Sequence, residues 1–204
     1  MVVELFLPRR CAGCQAPGAV LCPSCRRELA RPPYRVSPRT EPGMPVWALG
    51  PYSEVRQSVI VAMKERRDFA ARTAVGAVFR AGLERLVALG ELPEDVVVVP
   101  APTRRRAARL RGGDPMRAVG AASGFPVRSL LVHGAGVRDS VGLSPVQRKE
   151  NMARGVRLVA PVPLGRSLVL IDDVVTTGAT LWSAAARLLA AGATVAGALT
   201  FAAA

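Results

Sequence analysis

The chain has 204 residues, half of them apolar, with 28 basic against 15 acidic side chains and a formal net charge of +13. That size suits one ordinary domain with a small attachment, or two small domains, and the apolar half excludes a disordered or fibrous chain. The charge favours a polyanionic partner such as nucleic acid, a phosphorylated metabolite or a membrane surface, although every basic residue except Lys64 and Lys149 is arginine, a skew that coding bias alone also produces.

The N-terminus has no succession of basic start, apolar stretch and small-residue cleavage site, so a cytoplasmic chain is expected. All four cysteines fall in CAGCQAPGAVLCPSC, as Cys11, Cys14, Cys22 and Cys25, with the spacing C-x2-C-x7-C-x2-C. Two thiolates separated by two residues wrap one side of a tetrahedral ion, and Gly13 eases the tight turn beside Cys14. Two such knuckles complete a closed, structural Zn2+ site. The competing readings are two disulfides or free thiols, and a reducing compartment disfavours the first. The following run RPPYRVSPRTEPGMP, with five prolines and one glycine, reads as an extended connector. Residues 1–42 are therefore expected to form a zinc-ribbon module with its linker, and residues 43–204 the main domain.

The main domain alternates strand and helix patterns. VWALGPY suggests a strand, and residues 53–67 a helix with Val55, Val59, Ala62 and Met63 on one face and Arg56, Lys64, Arg66 and Arg67 facing outward or toward a ligand. A second helix is expected over 69–89, stopped near Gly90. VVVVP at 96–100 reads as a strand buried on both faces. Then come a helix over about 115–123, a short strand near Val127–Val132, a loop, and a helical or turn segment over 144–152. SLVLID is the next buried strand, helix 180–190 is capped by Gly192, and TVAGALTF closes the pattern. Gly192, Thr194, Gly197 and Thr200 break up the weakly polar end of the chain, so no membrane insertion is expected. Such alternation predicts an open, mainly parallel α/β sheet, with ligands at the carboxyl ends of the strands.

The stretch LVLIDDVVTTGATL places two carboxylates after a buried strand ending at Ile171, then a threonine-glycine loop opening onto a helix. Hydroxyls and backbone N–H groups at a helix N-terminus cradle a phosphate, and Gly178 lets the backbone come close. Carboxylates repel that phosphate, so their natural partners are hydroxyls or a divalent cation beside it. A sugar phosphate satisfies both halves: ribose 2′ and 3′ hydroxyls on Asp172 and Asp173, and the 5′-phosphate in residues 176–180. The competing reading is an ordinary strand-to-helix turn with Asp173 in solvent and Thr180 as N-cap.

These residues resemble the phosphoribosyl diphosphate (PRPP) motif of type I phosphoribosyltransferases. With the four-cysteine N-terminus, YSEVRQSVIVAMKERRD, VVVVPAPTRRRAARLRGG and RDSVGLSPVQRKEN in the same order, nearly the whole chain resembles the ComF family of competence-associated proteins, also called GntX-like. The resemblance implies a type I phosphoribosyltransferase-like fold binding PRPP or a related sugar phosphate with Mg2+. It implies contacts from Asp172, Asp173, Val174, Val175, Thr176, Thr177, Gly178, Ala179 and Thr180, with the two aspartates as the catalytic pair. Pro102, Arg104, Arg106 and Arg111 would belong to the diphosphate loop, Lys64 would reach the same phosphates, and Arg138, Arg148 and Asn151 would lie in a hood over the ligand. Two departures stand out. The family's Arg-Gly-Phe-Asn-Gln is here Arg111-Gly112-Gly113-Asp114-Pro115, and Thr176 stands where purine-transferring relatives keep a base-contacting aspartate. His133, the one histidine, is read as structural. Two functions follow: phosphoribosyl transfer to a nitrogen acceptor, or a non-catalytic PRPP-binding or phosphate-binding protein acting on single-stranded DNA, alongside competence or recombination proteins, in DNA uptake or recombination. In addition, the zinc module is a candidate for docking another protein.

Overall fold

The computed structural model describes residues 9–102, 112–134 and 155–204. In chain order the elements are α1 (Pro23–Leu29), β1 (Tyr34–Arg35), β2 (Val46–Ala48), α2 (Glu54–Lys64), α3 (Phe69–Ala88) and β3 (Val97–Pro100). After these come α4 (Pro115–Ala122), β4 (Leu131–His133), β5 (Val156–Leu158), β6 (Ser167–Val175), α5 (Ala179–Leu189) and β7 (Thr194–Ala203). Among the described residues, five strands form one mixed sheet in the order β1-β2-β7-β6-β3, and β4 pairs with β5 in a separate two-stranded sheet. The pairings β2 with β7, β7 with β6 and β6 with β3 are parallel, while β1 adds to β2 antiparallel. The chain is thus an α/β protein whose sheet is flanked by helices.

The apolar runs alternate between two cores, as side chains of period two must. Val98, Val169 and Ile171 pack with Phe79 and Leu83 of α3 and Val119 of α4. Val97, Val99, Leu168 and Leu170 pack with Leu181, Ala184 and Leu188 of α5. Covered on both faces, β3 and the first half of β6 carry no polar residue between Leu168 and Ile171 or between Val97 and Pro100. Leu21, Cys25 and Leu29 of the cysteine segment join the first core alongside Val59 and Phe79.

Four expectations change in detail. Strand β6 does not end at Ile171 but runs on to Val175, because β7 continues beside it and pairs Asp172 with Thr200 and Val174 with Ala202. The strand expected near 127–132 begins at Leu131, and Val127 makes only a parallel bridge to Val98. The proline-rich connector contributes β1 to the sheet edge. Arg56, expected to face outward or toward a ligand, is fully buried. Its guanidinium donates to Leu49 O at 2.6 Å, Phe201 O at 2.9 Å and Glu28 O at 3.4 Å, and lies over the Phe201 ring at 4.9 Å. Gly50 makes room for it, since a Cβ there would lie 2.3 Å from the guanidinium. Burial pulls the Arg56 pKa down to about 10, with Glu28 opposing, so it stays charged at neutral pH and stitches α1, β2 and β7 together. No helix among the described residues is long and apolar enough to cross a membrane.

Candidate functional site

The parallel strands β2, β3, β6 and β7 bring their carboxyl ends to one edge of the sheet. There, Asp172 and Asp173 occupy adjacent positions in β6, Asp172 half-buried and Asp173 buried. The Asp172 Oδ1 accepts the Asp173 N–H at 2.8 Å. Lys64, the last residue of α2, forms an ion pair with the Asp173 carboxylate. Burial, followed by the charge of Asp173, pushes Asp172 up to about 8, against the pull of the Asp173 N–H and the Lys64 ammonium. Two carboxylates side by side cannot both hold their charge cheaply; Lys64 pairs with Asp173, and burial favours the protonated form of Asp172.

The loop after β3 starts beside this pair. Pro100 is in register with Ile171, the Ala101 N–H donates to Ile171 O at 2.8 Å, and Ala101 and Pro102 are buried. Arg104, Arg106 and Arg111, and likewise Arg138, Arg148 and Asn151, lie outside the described residues. Asp114, which stands at a departure from the family pattern, caps α4 by accepting from the N–H groups of Met116 at 2.9 Å and Arg117 at 3.3 Å. With Pro115 following, this is an ordinary helix start, and its charge also raises Asp172 slightly. His133 lies in β4, opposite Val156.

Strand β6 leaves Thr176, Thr177 and Gly178 to make the turn into α5, with Ala179 and Thr180 in the first turn of the helix. Gly178 is the N-cap, in the left-handed region at φ 82°. Gly178 has no side chain to cap the helix, and Thr176, Thr177 and Thr180 are exposed. Thr177 Oγ1 accepts from the Ala179 N–H at 3.4 Å. The close approach that demands glycine at 178 comes from the connector: a Cβ would lie 2.5 Å from Thr40 O and 2.7 Å from the Pro38 Cβ. The Thr40 N–H donates to Thr177 O at 2.7 Å, which straps the connector to the loop. Between them opens a cavity of about 300 Å3, lined by residues 36–39, 175–176 and 203–204, with Arg39 as its cation. Sequence reasoning missed this wall, since nothing in a proline-rich run signals which distant loop it will touch.

At the other end of the connector, the Sγ atoms of Cys11, Cys14, Cys22 and Cys25 all lie within 4.8 Å of one another, and none is in a disulfide. A tetrahedral zinc with ~2.3 Å bonds needs sulfurs ~3.8 Å apart, and the Cys14 and Cys22 sulfurs are 3.6 Å apart. Burial raises the Cys11 thiol, but N–H groups of Cys14, Cys22 and Gly13 outweigh it and bring Cys11 down to about 6, so a thiolate is already favoured. Burial pushes Cys25 up. The tight turn falls on Gln15, at φ 65°, whereas Gly13 is needed because a Cβ would stand 2.8 Å from the Cys25 sulfur. The four sulfurs can hold a zinc ion.

Fold and site thus define an α/β protein with a paired-acid strand end and a four-cysteine cluster. No family model and no curated protein matches the chain.

Proposed function

We propose that the protein is a ComF-like member of the type I phosphoribosyltransferase fold that binds PRPP with Mg2+ and transfers its phosphoribosyl group to a nitrogen acceptor. The observation that carries this reading is the succession along β6: an acid pair, half-buried Asp172 and buried Asp173, then an exposed threonine loop entering a helix whose N-cap is glycine. In this reading the ribose hydroxyls meet the two aspartates, and the 5′-phosphate takes the N–H groups and hydroxyls of residues 176–180. Lys64 already pairs with Asp173, and Mg2+ arriving with the ligand would help neutralise the charge of the departing diphosphate. In this reading Lys64 reaches toward that same diphosphate; Arg104, Arg106 and Arg111, which the resemblance assigns to it, lie outside the described residues. The cavity beside Thr176 takes the acceptor, whose nitrogen attacks the anomeric carbon as the bond to diphosphate breaks. Catalysis is then positioning and charge stabilisation around a cationic sugar carbon. The four cysteines hold a structural Zn2+.

Calorimetric titration with PRPP and Mg2+ tests the binding step, with Asp173→Asn expected to weaken it at least tenfold. Unchanged binding by that variant rejects the site. Diphosphate release that no nitrogen base accelerates rejects transfer while leaving binding intact.

The non-catalytic reading, single-stranded DNA handling in uptake or recombination, is favoured by the charge of +13 together with exposed Tyr34, Tyr52 and Phe69. Salt-titrated anisotropy with a labelled oligothymidine tests it, and no binding at low salt rejects it.

A further inference from the structure

A groove of about 750 Å3 lies between the outer face of α3 and the segment that runs from α1 to Pro33, and it shares no residue with the acid pair or its loop. Helix α3 buries Val75, Phe79, Leu83 and Leu86 in the core. A second stripe, Ala74, Ala77, Val78 and Ala81, follows the helical spacing of three and four residues and lines the groove, with Ala77 and Ala81 exposed. A helix apolar on two faces is built to be covered on two faces. The floor is apolar as well, formed by Leu21 and Leu29, both buried.

The rim is cationic. Arg26, Arg31 and Arg85 line the groove, and among the described residues no acidic one does. Arg26 is oriented by its Nε, which donates to Leu21 O at 2.9 Å. The charge selects the occupant: a second copy of a chain carrying +13 would bring like charge against these arginines. Among the described residues, no aromatic side chain lines the groove for a nucleic-acid base to stack on. An apolar surface with a cationic rim fits an amphipathic helix whose flanks carry carboxylates. Alanines at three of the wall positions let such a helix approach closely. The stripe from Ala74 to Arg85 runs ~16 Å, about three helical turns.

We propose that the groove between α1 and α3 docks an acidic amphipathic helix of a partner protein, apolar face inward and carboxylates over Arg26, Arg31 and Arg85. The test is fluorescence anisotropy of the zinc-loaded full chain with a labelled 14-residue peptide that repeats leucine at helical spacing among glutamates. A scrambled peptide of the same composition is the control for non-specific charge attraction. The ordered peptide is expected to bind about tenfold or more tightly than the scramble, a difference of ~1.4 kcal/mol. Ala81→Trp, which fills the groove from an exposed position, is expected to erase that difference with zinc content and melting temperature unchanged. Arg31→Glu with Arg85→Glu, kept as a second variant that leaves the apolar wall intact, is expected to erase it too. Equal binding of ordered and scrambled peptides overturns the proposal, as does a preference that survives both variants. Binding that appears only after residues 1–8 are deleted overturns it as well, by assigning the groove to the chain's own N-terminal segment.

Discussion

Replacing Asp172 by Asn should stabilise the ligand-free protein most at pH 9, less at pH 5, and leave it nearly unchanged only below pH ~4. Asp172 is raised from 3.8 to about 8, first by burial and then by the carboxylate of Asp173, with a small addition from Asp114 and an opposing pull from Lys64. Below pH ~4 the carboxyl is protonated in both folded and unfolded chains, and folding is indifferent to it. Between pH ~4 and ~8 the unfolded chain releases the proton while the folded chain keeps it, so stability falls as pH rises across that window. Each unit is worth ~1.4 kcal/mol, which sets a ceiling of roughly 6 kcal/mol; sharing of charge with Asp173 and partial solvent access reduce the expectation to about 2–3 kcal/mol. Asparagine keeps the shape and the Oδ1 acceptor for the Asp173 N–H, but has no charge to bury. Urea unfolding of parent and variant at pH 5, 7 and 9 reads the difference, and subtraction cancels the titrating groups that do not interact with Asp172. A difference that is the same at all three pH values, or a variant weaker than the parent at pH 9, refutes the reasoning. The same variant should bind PRPP more weakly, the trade of stability against function expected of a binding residue.

Gly178→Ala forces a Cβ to within 2.5 Å of Thr40 O at a φ of 82°, so about 1–3 kcal/mol of stability should be lost, together with phosphate affinity, as thermal melts and calorimetry would read. Arg56→Met leaves the carbonyls of Leu49 and Phe201 without their guanidinium partner and should cost about 3–5 kcal/mol, measured by urea unfolding. Lys64→Met strips the buried Asp173 carboxylate of its ion pair and should cost about 1–3 kcal/mol, read by urea unfolding at neutral pH. Chelation of zinc should lower the melting temperature and also weaken PRPP binding, because the connector that follows the cysteines is bonded to Thr177; unchanged affinity in a chelated, folded protein would show that strap to be idle.

The elements legible in the sequence were those whose partners are generic. VVVVP and SLVLI read as strands because burial on both faces leaves an unbroken apolar run, and any apolar helix face can cover them. Four cysteines declare one another by spacing alone. Illegible features depended on particular partners far along the chain. Arg56 reads as a surface residue until Phe201 O, 145 residues away, accepts from it. The acid pair reads as the end of a strand, because two charges rarely continue one, yet β6 extends through them to Val175 with Lys64 compensating Asp173. Gly178 was legible as a close approach but not as an approach to Pro38 and Thr40.

That last difference changes what the connector is for. A flexible linker would leave the cysteine segment and the sheet independent, but here β1 joins the sheet edge, the segment through Arg39 walls the cavity beside Thr176, and Thr40 is bonded to the loop. At the other side Glu28, in α1, accepts from the hydroxyl of Ser53, the residue that caps α2, and α2 ends in Lys64 at the acid pair. The cysteine segment therefore reaches the two halves of the site by two routes, the connector to the threonine loop and α2 to the aspartates. Any movement of α1, whether from loss of the metal or from a helix seated against α3, bears on both.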